Sequence, residues 1–99
     1  MSHRIRFKYG GAMHEWLRLN RPYRMTIKHS TTGEVRREIM AWCDENVGLC
    51  YIDRHEGHRL VVDPTAPWGY YHDFFYFQTE KDALFFKLRW ADVIDHDCV

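Results

Sequence analysis

Nine of the chain's sixteen aromatic side chains fall within GYYHDFFYFQTEKDALFFKLRW, residues 69–90, and this segment constrains the fold more than any other. Residues 70–78 read as one strand, because aromatic side chains suit a pleated, half-buried surface. Successive side chains of a strand point to opposite faces. Tyr70, His72, Phe74 and Tyr76 then share one face, and Tyr71, Asp73, Phe75 and Phe77 share the other. Neither face is polar. A sheet with helices on one side has only one face covered. Either the second face is hidden by a loop, the first helix or another subunit, or it meets a partner.

The rest of the chain supplies short elements of both kinds. Residues 3–9 alternate Ile5, Phe7 and Tyr9 with Arg4, Arg6 and Lys8, which predicts a half-buried strand with a basic outer face. Met13, Trp16, Leu17 and Asn20 have helical spacing within residues 12–20, and Pro22 stops that helix. Residues 23–29 alternate again, with Tyr23, Met25 and Ile27 opposite Arg24, Thr26 and Lys28. Thr31 and Glu34 have capping-box spacing. Val35, Ile39, Trp42 and Cys43 form one face of the helix that follows, which places Trp42 in the core, and Gly48 ends it. LCYID and RLVV flank RHEGH, a hairpin with Gly57 in its turn. Thr79 caps a last helix, with Asp82 three residues on, running to about Ala91, and residues 92–99 are expected to fray. The order β-α-β-α-β-β-β-α predicts one α+β domain: a small two-layer sandwich with a mostly antiparallel sheet and about three helices.

Fourteen basic residues balance fourteen acidic ones, so no bulk charge draws the chain to nucleic acid or to a membrane surface. Three cysteines at irregular spacings make no disulfide framework and fit a reducing compartment. The start MSHRIRFKYGG lacks the apolar stretch of a secretory signal. No apolar run approaches the ~20 residues that span a bilayer. A soluble, cytoplasmic protein is expected.

Chemistry-bearing constellations are sparse. Cys43, Cys50, His55 and His58 are of zinc-binding types, but their C-x6-C-x4-H-x2-H spacing matches no common zinc pattern. Cys43 also belongs to the apolar stripe of its helix, so neither metal nor cofactor is expected. Cys50 beside His55 or His72 is a conceivable thiol nucleophile, but nothing in the local sequence supports it. There is no phosphate-cradling loop, no GxSxG and no HExxH. A binder, not an enzyme, is the expectation.

Candidate contact residues cluster in the aromatic segment. Tyr70, His72 and Tyr76 have the polar ends that suit a partly wet interface, and Phe74 shares their expected face. On the last helix, Ala83, Leu84, Phe86, Leu88, Trp90 and Ala91 span a broad apolar arc. Lys87 projects from its middle, either with its stem packed and its ammonium in water or paired with Asp73. Phe85 lies almost opposite, beside Arg89, and aromatic and arginine side chains are enriched at contact hot spots. The set Tyr70, His72, Phe74, Tyr76, Phe85 and Arg89 is therefore the predicted surface for another protein or a second copy of the chain. The alternative is nucleic acid, with Arg4, Arg6, Lys8, Arg24 and Lys28 holding phosphates while the aromatic face stacks bases. No RNP1-type pattern supports it.

REIMAWCDENVG and FYFQTEKDALFFKLRWA together resemble small proteins of tailed-phage genomes that have no settled activity. There a helix ending near a Trp-Cys pair and a glycine precedes an aromatic strand and a helix ending in K-L-x-W. The resemblance covers residues 37–48 and 75–91. It implies a phage-encoded accessory or host-takeover protein acting in the host cytoplasm, and it carries over no site residues.

Overall fold

The computed structural model describes residues 4–8 and 10–98; His3 and Tyr9 of the first expected strand lie outside them. The elements are β1 (Ile5–Lys8), α1 (Gly11–Asn20), β2 (Tyr23–Ile27), α2 (Gly33–Asn46), β3 (Ile52–Glu56), β4 (Arg59–Val62), β5 (Trp68–Tyr71), β6 (Phe74–Phe77), α3 (Glu80–Trp90) and, after a 3-10 turn (Ala91–Val93), β7 (Ile94–Cys98). The fold is α+β with three helices and antiparallel sheets, as the sequence predicts. The strands divide between two sheets, β1-β4-β3 and β5-β6-β2-β7.

Local chemistry explains most boundaries. The Thr79 hydroxyl accepts a hydrogen bond from the Asp82 amide at 3.2 Å and starts α3. α2 starts one residue later than the capping-box spacing implies: Thr32, not Thr31, caps it and accepts from the Val35 amide. Gly48 ends α2 at φ 145°, and an added Cβ there would meet Pro67 at 2.8 Å. Gly57 turns the β3–β4 hairpin at φ 61°.

The aromatic segment differs most from its sequence reading. Residues 70–78 are not one strand. β5 and β6 form a hairpin that turns at His72 and Asp73, with His72 at φ 54°. Asp73 accepts from Arg36 Nη2 at 2.7 Å and His29 Nδ1 at 3.0 Å, which ties the turn to α2 and to the end of β2. Asp73 is thus engaged by Arg36 and His29, while Lys87 sits exposed on α3. Directly opposed residues of an antiparallel pair share a face, so pairing Tyr70 with Phe75 and Tyr71 with Phe74 re-sorts the rings. Trp68, Tyr70, Phe75 and Phe77 now lie on one face of the sheet, and Tyr71, Phe74 and Tyr76 on the other.

Both faces are covered. On the first, Trp68, Phe75, Phe77 and Met25 pack against Ile39 and Cys43 of α2 and against Ala83, Phe86 and Trp90 of α3. On the second, Tyr76 packs with Met13 and Leu17 of α1, Tyr51, and Leu60 and Val62 of β4. Gly69 permits the close approach on that side: a Cβ there would stand 2.6 Å from Tyr51 Cβ and 2.9 Å from Leu17 Cδ2. The tail is likewise ordered into structure: β7 pairs with β2 along the sheet edge instead of fraying. Trp42 is only partly buried, packed on the rim of the first core.

One buried charge organises the second core. Arg21 is 4% exposed, and its guanidinium donates to the carbonyls of Asn20, Pro64 and Ala66 at 2.6–3.0 Å. It lies over the Trp16 ring, 5.3 Å from the centroid. Burial lowers its pKa, against the pull of Tyr51 and Asp63.

Candidate interaction surface

The six residues expected to form one contact face separate into four places. Tyr70 leans on the first core beside Trp68 and Phe75, with ring centroids 6.2 and 6.0 Å away. His72 stands exposed at the hairpin turn. Phe74 and Tyr76 lie on the opposite face from Tyr70, and Tyr76 is 1% exposed. Its hydroxyl is 2.6 Å from His14 Nε2, and the His14 ring stacks on Tyr71 at 4.5 Å and 8°. These rings fix α1 to the hairpin. Burial first, then the charges of Arg24 and Arg18, lower the His14 pKa below its ordinary value.

Phe85 and Arg89 do converge, on a surface that the strand reading missed. Phe85 is 46% exposed and meets Trp42 at 5.0 Å between centroids. Arg89 carries its guanidinium carbon 4.0 Å above the Trp90 ring. Beside them Leu84 and Leu88 point outward, 43% and 82% exposed. α3 buries only Ala83, Phe86 and Trp90, so Leu84, Leu88 and Ala91, one turn apart on the far side, are left to solvent. The breadth of the apolar arc in the sequence was the signal for this: it exceeds the stripe that one supporting layer covers.

A groove of about 330 Å³ runs alongside, between α2 and α3, lined by Glu38, Ala41, Trp42, Glu45, Arg89 and Trp90. Trp42 and Trp90 meet edge to face at 90° with centroids 6.4 Å apart. Glu38 and Glu45 lie one turn before and one turn after Trp42. Among the described residues neither carboxylate has an ion-pair partner.

The basic residues of the nucleic-acid alternative are scattered, and four of the five are engaged. Arg4 pairs with Asp53 at 3.0 Å and Asp63 at 3.6 Å, and Arg6 with Glu56 at 3.0 Å. Lys8 is exposed at the end of β1 in the same sheet. Arg24 lies in the other sheet, half-buried, 5.1 Å over Phe74. Lys28 Nζ donates to the Asp92 carbonyl. They form no continuous stripe.

The thiol and imidazole groups do not assemble either. Cys43 is fully buried, and burial pushes its thiol far up. Burial also pushes Cys50 up to about 12, so it is a thiol, not a thiolate, at neutral pH. His55 and His58 stand exposed around the β3–β4 turn. Among the described residues no three His, Cys, Asp or Glu side chains are grouped to hold a metal, and no helix is long and apolar enough to cross a membrane. No family model, curated protein or solved structure matches the chain.

Proposed function

We propose that the protein is a non-enzymatic interaction module that binds another protein through the outward face of α3. The observation that carries this is the exposure of Leu88, at 82%, directly beside Leu84 and Phe85. Fully burying a Leu or Phe side chain is worth about 1.5–3 kcal/mol, so covering these three offers several kcal/mol toward association. The aromatic hairpin acts as the rigid support of this face, since Phe75 stacks on Phe86 and Phe77 meets it at a tilt. The resemblance of residues 37–48 and 75–91 to tailed-phage proteins supports a phage-encoded accessory role, with a host protein as the partner.

A photo-crosslinking residue placed at position 88 tests the reading, with a second at the exposed His58, in the β3–β4 turn of the other sheet, as the control. Specific adducts in cell extract are expected from position 88 and are lost when Leu84→Asp is added. Equal adducts from both positions, or none from position 88, refute it.

A further inference from the structure

We infer that the groove between α2 and α3 receives a guanidinium or ammonium side chain of the partner, immediately beside the apolar contact on Leu84, Phe85 and Leu88. This rests on the interaction-module reading and specifies the chemistry of the partner: a protein segment carrying a basic side chain next to apolar ones.

Three features of the groove point to a cation. The groove is lined by the indoles of Trp42 and Trp90, in edge-to-face contact with centroids 6.4 Å apart; Trp90 is 7% exposed and covered by Arg89, so the half-buried Trp42 is the indole left to an incoming group. Indole faces are the strongest aromatic attractors of cations. Glu38 and Glu45 bracket Trp42 on α2, and both carboxylates lack an ion-pair partner among the described residues. Negative charge on a rim of aromatic rings favours a positive occupant and disfavours an acidic or neutral one. Finally, a cation already rests on one wall: the chain's own Arg89 covers Trp90 at 4.0 Å. Among the described residues Arg89 makes no ion pair with Glu38 or Glu45, so it uses the ring and leaves the acids open. It is an internal stand-in for the incoming group. Binding then requires Arg89 to swing aside or to share the groove, and its positive charge opposes the ligand.

Geometry also sets the order of contacts. Phe85 touches Trp42 at 5.0 Å and lies one turn before Arg89, so the groove and the outward face of α3 are continuous through Phe85. A segment lying along α3 puts apolar side chains on Leu84 and Leu88 while one basic side chain reaches past Phe85 to the Trp42 indole and the carboxylates beside it.

The test uses Nα-acetyl-arginine methylamide as the probe and its neutral isostere, Nα-acetyl-citrulline methylamide, as the control. The observable is the set of indole N–H signals in a ¹H–¹⁵N spectrum of the whole protein. The arginine probe is expected to shift the Trp42 and Trp90 signals saturably, and the citrulline probe is not. Glu38→Gln and Glu45→Gln each weaken the arginine probe about two- to fivefold, the range of an exposed ion pair. Arg89→Gln strengthens it by a similar factor, about two- to fivefold, because the competing cation is gone. Equal shifts with citrulline, no saturation up to the solubility limit, or weaker binding in Arg89→Gln overturns the inference. Leu84→Ser and Leu88→Ser remove apolar contact area outside the groove lining without adding charge. If the probe binds as expected while these variants still capture the partner, the α3 surface reading fails and the groove assignment stands.

Discussion

Replacing Arg21 by methionine is expected to cost more than any surface substitution in this chain. The side chain is 4% exposed, and its guanidinium serves four hydrogen bonds to three main-chain carbonyls, two of them to Ala66. Methionine keeps much of the stem's packing but removes every donor. The Ala66 and Pro64 carbonyls then lose their partners in the part of the loop that closes the second core. A hydrogen bond to a charged group contributes about 1.5–3 kcal/mol, and each buried acceptor left unpaired costs about 1–3 kcal/mol. Water reaching the Pro64 side reduces the second figure, so the expected loss is about 3–4 kcal/mol. Lysine at the same position recovers only part of it, because one ammonium cannot span carbonyls that a planar fork reaches together. Urea unfolding of wild type, Arg21→Met and Arg21→Lys, at equal m-values, measures the difference. A loss under about 1 kcal/mol in Arg21→Met would show that these carbonyls are already solvated and that the buried clamp contributes little.

Gly69→Ala is expected to destabilise by about 1–3 kcal/mol, because the new methyl would meet Tyr51 Cβ at 2.6 Å and Leu17 Cδ2 at 2.9 Å; a thermal midpoint equal to wild type contradicts the packing described for α1. The His14 pKa is lowered in the folded chain, by burial first and then by Arg24 and Arg18. The unfolded state therefore binds the proton more readily, and the stability His14 contributes is complete above pH ~6.5 and lost as pH falls below it toward the folded pKa. Across that window the unfolding free energy of His14→Asn should decline less steeply than that of wild type, and parallel profiles would exclude His14 as a source of the pH dependence.

Sequence alone determined the features that depend on neighbours along the chain. Thr79 beside Asp82, Gly48 after an amphipathic run and Gly57 between two short strands each act within a few residues, and each sits in the structure where local chemistry puts it. The alternation of β1 and β2 and the helical stripe of Ile39 and Cys43 follow from periods that need no distant contact. The α+β class comes from summing such elements.

The turn at His72 and Asp73 was decided elsewhere. A left-handed residue at a tight turn normally declares itself as Gly or Asn, and His72 at φ 54° carries neither signal. Asp73 is held instead by Arg36 and His29, 37 and 44 residues away along the chain. That turn reversed the sorting of the rings and moved Tyr76 from an imagined surface into a core. The outward face of α3 was also a tertiary decision. A helical wheel shows Ala83, Leu84, Phe86, Leu88, Trp90 and Ala91 as one apolar arc, but not how much of it a neighbour will cover. The sheet reaches Ala83, Phe86 and Trp90 and no further. Burial is a property of what arrives from another part of the chain, so the exposure of Leu88 and the groove beside Trp42 came into being only when α2, α3 and the sheet packed together.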